Sequence, residues 1–209
     1  MPTSIKTIID RISRDLIDAS NVRWSRPELI DFLNDAIAAI VLRRPDLTRK
    51  TVTIDVDSFT VGLPVDLYKV LAVNHINLMA AQYVDINKLN QLYPNWRTMT
   101  GEPTCWTRNE LDEKTLFLFP APESTATVEI VYSSAMKVDA ESDDFPITEI
   151  YEGVVSDYVM YRAYNKDSMN PSDAQRAQLH LQAFATALGE KSSSDQFIVQ
   201  MIKQSEVAR

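Results

Sequence analysis

Two histidines, one cysteine and two short groups of carboxylates are the residues of this chain whose types could do chemistry. Nucleophilic hydrolysis needs a base beside a Ser or Cys. His75 falls in an alternating stretch near Asn74 and Asn77, and His180 falls beside an apolar helical stripe. Each reads more plainly as a polar residue on a half-buried face than as a catalytic base. Cys105 has no neighbour in sequence that would lower its pKa, and next to Trp106 it reads as a small buried hydrophobe. As the sole cysteine it makes neither an intramolecular disulfide nor a thiolate metal cage.

The carboxylates suggest divalent-cation chemistry through oxygen ligands. Asp55 and Asp57 form a D-x-D, and Asp139, Glu141, Asp143 and Asp144 form a cluster. The first pair sits where a hairpin turn is expected, and Asp is favoured in turns for its backbone hydrogen bonds. The second reads as a solvated linker ahead of a helix N-terminus, where negative charge is stabilising. The calcium-loop template, the Walker pattern and the Rossmann glycine fingerprint are all absent. The four glycines, Gly62, Gly101, Gly153 and Gly189, are scattered. No catalytic, cofactor or metal residue is assigned.

The charge balance restricts partners as well. A formal charge of −8 opposes a surface that grips duplex DNA, because non-specific DNA affinity comes mainly from Lys and Arg on phosphates. An acidic wall would instead let DNA slide past. Arg43, Arg44, Arg49 and Lys50 are the one basic cluster. Cations suit a helix C-terminus, and a protein or DNA contact there is the alternative. Met1–Lys6 lacks the basic and apolar regions of a signal peptide. No run reaches the roughly 18–20 apolar residues of a membrane span. The expectation is a protein folded in a cytoplasm.

The elements that position these residues are read from period. Ile5, Ile8, Ile9, Ile12 and Leu16 predict a helix ending near Ala19-Ser20-Asn21. Ser25 and Glu28 predict a capping box, with Trp24 and Leu29 as its hydrophobic staple. Leu29, Leu33, Ala36, Ile37 and Ile40 form that second helix's stripe, closed by Arg43-Arg44-Pro45. Residues 51–133 then change to a two-residue period, with strands expected at 51–56, 59–63, 69–76, 104–107, 115–119 and 127–132 and a short helix from Asp85. Antiparallel pairing follows from the turn-like connections. Helix returns over Ile147–Arg162. A further helix opens at Asn170-Pro171, carries Ala174, Ala177, Leu181, Phe184 and Leu188, and stops at Gly189.

The expected architecture is α+β: an antiparallel-type helical bundle formed by the N- and C-terminal helix pairs, with a β-rich insertion between helices 2 and 3. Its expected divisions are 1–50 with 134–189, the insertion at 51–133, and a C-terminal arm at 190–209. The arm begins Lys191-Ser192-Ser193-Ser194 and then gathers Phe197, Ile198, Met201 and Ile202. Those four bury either on the chain's own helices or in a partner's groove.

Several strings carry a resemblance. Trp24-Ser25 with Glu28-Leu29, Leu33-Asn34-Asp35-Ala36, Arg44-Pro45-Asp46 and Leu63-Pro64-Val65-Asp66 occur in the front half. Pro120-Ala121-Pro122, Val128-Glu129 with Tyr132-Ser133, and Asp157-Tyr158-Val159 with Tyr161-Arg162-Ala163 occur in the back half. In this order, over about residues 20–188, the chain resembles the head-to-tail connector (adaptor) proteins of short-tailed bacteriophages.

That resemblance implies a non-enzymatic virion protein, assembled in the host cytoplasm. It would act as one copy of a ring, a dodecamer, seated between the portal protein and a tail tube or nozzle protein. DNA would pass through without specific binding. The resemblance also implies that the C-terminal segment reaches the portal, which makes Phe197, Ile198, Met201 and Ile202 the expected docking residues. Another tail or head-completion protein has similar physics. A metal-dependent enzyme on the acidic groups and a DNA-binding regulator on the first two helices are the readings from other classes.

Overall fold

A computed structural model describes residues 3–109, 112, 114–166 and 170–207, with side chains described as far as residue 189. In chain order the elements are α1 (Ile5–Asp15), α2 (Arg26–Arg43), β1 (Arg49–Val56), β2 (Thr60–Val61), β3 (Leu67–Ile76), β4 (Met79–Ala80) and β5 (Gln82–Tyr83). There follow α3 (Ile86–Leu92), β6 (Thr100–Gly101), β7 (Cys105–Arg108), β8 (Leu116–Phe119), β9 (Ala121–Pro122), β10 (Ala126–Ser134), α4 (Glu152–Lys166) and α5 (Pro171–Val207). The chain divides into two compact units, Pro45–Ala135 and the combination of Met1–Arg44 with Met136–Arg209.

In the helical unit, α1 buries Ile5, Ile8, Ile9 and Ile12 and α2 buries Leu29, Leu33, Ala36, Ile37 and Ile40, the residues their periodicity singles out. The N–H groups of Ile5 and Lys6 donate to the carbonyls of Asp143 and Glu141, both at 2.9 Å. Two donors at the start of α1 are thereby satisfied by the acidic stretch. Asn34 holds that stretch from α2, donating to the Val138 carbonyl at 2.9 Å and accepting from the Val138 N–H at 2.8 Å. Residues 138–145 are therefore a brace rather than the solvated linker their composition suggests.

The start of α2 departs from its expected capping. Ser25 is the N-cap residue but its side chain makes no capping bond, and Glu28 instead accepts from Lys166 on α4 at 2.5 Å. The turn before it is held by Asp18, whose carboxylate accepts from the N–H groups of Val22, Arg23 and Trp24. Ile17 and Asn21 reverse the chain there at φ 58° and 53°.

The expected helical bundle with a β-rich insertion is corrected. Among the described residues the chain is α+β with five α-helices and ten strands in three sheets. Periodicity finds each helix's apolar stripe but not which stripes meet. α4 takes α1, α2 and α5 against it, whereas the main packing of α5 is against α4, so the stripes do not converge on one bundle seam. Nor does Gly189 end α5, which is assigned through Val207; one glycine inside a helix costs only about 1 kcal/mol. On α5, Asp173 rather than the expected Ala174 faces inward, because Arg23 donates to its carboxylate at 2.7 Å.

The β unit has its own core. One sheet runs β1-β10-β3-β4 and a second β2-β8-β7-β5, with β6 and β9 as a separate pair. Val128, Ile130 and Tyr132 of β10 join Val70, Val73 and Ile76 of β3, and Leu116 and Leu118 of β8, in one cluster. Phe117 and Phe119 alternate to the other side of β8 and meet Trp96 at 5.8 and 6.4 Å between ring centroids. Most pairing is antiparallel as expected, but β5 with β7 and β6 with β9 are parallel. Asp57-Ser58 is no hairpin turn either: β1 pairs with β10 and β2 with β8, so these residues carry the chain from one sheet to the other.

The helical unit carries an acid-sensitive clasp. Arg26 donates to both oxygens of Glu141, at 2.6 and 2.7 Å, and also pairs with Asp10 at 2.8 Å. The guanidinium holds the Glu141 carboxyl below its ordinary value, and backbone N–H bonds, that of Trp24 foremost, do the same for Asp18. A carboxyl whose folded pKa is depressed contributes stability above its unfolded value of about 4 and loses it as pH falls through the folded value. Stability is therefore expected to decline as pH falls below the unfolded value of about 4. Glu141→Gln should flatten part of that limb while leaving the shape above about pH 6 unchanged, read by urea unfolding at a series of pH values.

Candidate partner-binding surfaces

The residues singled out for chemistry have separate partners. His75 on β3 lies with Nε2 3.4 Å from Glu129 on β10, and Asn74 donates to the same carboxylate at 2.5 Å. His180 on α5 has Nδ1 3.0 Å from Asp157 on α4 and stacks on Tyr164. The Cys105 thiol donates to the Phe119 carbonyl at 3.3 Å, and burial pushes its pKa up, the opposite of an activated nucleophile. The Asp143 carboxylate accepts from the N–H groups of Asp139 and Ala140, while Glu141 is engaged by Arg26. Among the described residues no three His, Cys, Asp or Glu side chains are placed to share a cation. Nor is any described helix long and apolar enough to cross a membrane.

The strings that carried the resemblance are each other's partners. Trp24 donates through Nε1 to the Ala163 carbonyl at 3.1 Å. Arg162 bonds to Asp35 and lies over the Phe32 ring at 5.0 Å. In the β unit Asp66 accepts from Tyr132 at 3.1 Å and from Lys50 at 2.6 Å, and Thr48 bonds to Ser133 at 2.9 Å. The Lys50 ammonium holds the Asp66 carboxyl below its usual range, and burial raises the Tyr132 phenol. Residues distant in sequence are thus matched as fold clamps.

The basic cluster spans the boundary between the two units. Arg43 and Arg44 belong to the helical unit, where Arg44 lies 3.4 Å from the Tyr151 hydroxyl. Arg49 and Lys50 open β1 in the other unit, with Lys50 neutralised by Asp66 and Arg49 exposed. Phe197, Ile198, Met201 and Ile202 lie outside the described side chains. Sequence reading missed one exposed apolar stretch, Leu78 and Met79 with Tyr83, Leu92 and Tyr93 near it in sequence. Its signal was available: residues 77–84 contain no charge and no proline.

A search of curated proteins finds no match to this chain. A family model does match, from residue 3 to residue 204, a span that takes in both units and every string named above. The chain belongs to the SU10 adaptor protein family and is a bacteriophage structural adaptor.

Proposed function

We propose that this adaptor works as one copy in a closed ring, a dodecamer, between the portal protein and the tail tube or nozzle protein, continuing the DNA channel in the virion. The observation that carries the reading is the family match over nearly the whole chain. The charge of −8 supports it, since acidic walls repel phosphate and let a duplex move without sticking. A closed ring requires two different surfaces on each copy, joined in the same way at every step around the axis. Portal docking falls to Phe197, Ile198, Met201 and Ile202, with Arg43, Arg44, Arg49 and Lys50 as further contacts.

The test is assembly with the portal encoded by the same phage. Mass photometry and negative-stain imaging of the mixture should show a ring of adaptors added to each portal, with a fixed increment of mass. A portal that gains no mass, or an open and variable number of copies, would overturn the reading. Duplex DNA added at low salt should bind weakly and without sequence preference.

A further inference from the structure

We propose that the uncharged edge at residues 77–84 of the β unit is the face that receives a second copy of this chain. The inference rests on the ring reading and names one of its two surfaces. Asn77 and Leu78 form the two-residue turn between β3 and β4, at φ 50° and 65°. Such a turn favours Asn followed by Gly, because a side chain in the left-handed region meets steric resistance. Here leucine takes the glycine place and is 86% exposed. It is disfavoured twice, by backbone and by solvent, and among the described residues it stays uncovered.

The edge is short and uncharged. β4 ends the first sheet and β5 ends the second, and between them Met79, Ala80, Gln82 and Tyr83 are exposed. Exposed edges are normally blunted by shortness, charge or proline, and of these only shortness applies to the two-residue β4 and β5. β1, the opposite edge of the first sheet, carries Arg49, Lys50 and Asp55, whereas residues 77–84 carry neither charge nor proline. Beside the edge is an open groove of about 490 Å³ whose wall includes Met79, Ala80, Leu92 and Tyr93. Lys88 is its sole charged lining residue.

These features select the occupant. A free strand edge beside an apolar groove is suited to polypeptide, which can extend the sheet while filling the groove with side chains. The lone cation calls for a carboxylate. A chain with 29 acidic against 21 basic residues carries an excess of carboxylates, so a second copy meets both requirements. Used at one side of every copy, the edge would be covered all the way around a ring.

The test compares the full chain with Met79→Lys, Leu78→Gly and a control outside the groove, Val65→Lys, by sedimentation velocity across a concentration series and on the portal. Met79→Lys and Leu78→Gly should weaken copy-to-copy association about tenfold or more, and Val65→Lys should not. Leu78→Gly should also raise the melting temperature of the unassembled chain, because the strained position is relieved; its loss of association then cannot be a folding defect. Amides of residues 78–83 should become protected from hydrogen exchange on assembly. If both variants assemble like the parent, the edge is not the interface, while the ring reading survives. Protection of these amides by portal or tail protein on a chain that stays single would also overturn the proposal, and a parent chain that never associates, alone or on the portal, would overturn the ring reading itself.

Discussion

Trp24→Ala is expected to cost about 3–5 kcal/mol of stability, a large share of the 5–15 kcal/mol that holds a typical domain folded. Trp24 is 1% exposed and ties the corner before α2 to α4. Its indole N–H donates to the Ala163 carbonyl, its ring meets Tyr164 edge-on at 6.0 Å, and the Arg23 guanidinium covers it at 4.3 Å. Alanine would leave a cavity and remove the carbonyl's indole donor at once. Trp24→Phe separates the two effects: it refills most of the volume and should cost less, about 1–3 kcal/mol for the lost hydrogen bond and imperfect fit. Urea unfolding followed by circular dichroism measures both. A cost below about 1 kcal/mol for the alanine variant would mean the site collapses around the missing ring, contrary to the clamp described here.

The same corner shows what was legible beforehand. Trp24 stood out from its position ahead of a helix start, and the stripes of α1 and α2 from their spacing alone, because a buried helical face imposes a local period that sequence displays directly. The capping box was misread, since its two residues were right for the motif while tertiary partners decided otherwise: Asp18 holds the turn ahead of the helix and Lys166 took Glu28. The long strands β1, β3 and β10 announced themselves by alternation. β4, β5, β6 and β9, each two residues long, are too short to show a period, and their partners lie far off in sequence. Parallel pairing of β5 with β7 was hidden for the same reason. Asp173 could not be recognised as inward-facing without knowing that Arg23 would meet it.

The candidate surfaces were legible to a different degree. Of the four basic residues within eight positions, Arg44 has the Tyr151 hydroxyl near it and Lys50 is paired with Asp66. Proximity in sequence carries no information about such partners. The uncharged stretch 77–84 was visible in the letters but had no meaning until its residues were placed at two sheet edges. A missing charge is informative only where solvent is known to reach.

Removing residues 190–209 is expected to abolish portal binding, a loss of about a hundredfold or more, with little effect on the rest of the fold. Phe197, Ile198, Met201 and Ile202 are four large apolar side chains within six positions. Burying each in a partner is worth about 1.5–3 kcal/mol. A hundredfold represents roughly 2.7 kcal/mol, so ordering costs can offset about half of that sum and the loss still reaches it. The cut leaves in place the buried α5 residues among those described, Asp173, Ala177, Phe184 and Leu188. The melting transition should therefore shift by no more than a few degrees, although helical ellipticity falls with the shortened α5. Phe197→Ala with Ile198→Ala, in the full-length chain, should reproduce most of the binding loss without the length change. Surface plasmon resonance on immobilised portal measures all three chains, and undiminished binding by the truncated one would remove these residues from the docking site. If truncated chains still associate with each other while ignoring the portal, docking and ring closure use separate surfaces, as an interface at the β-unit edge requires.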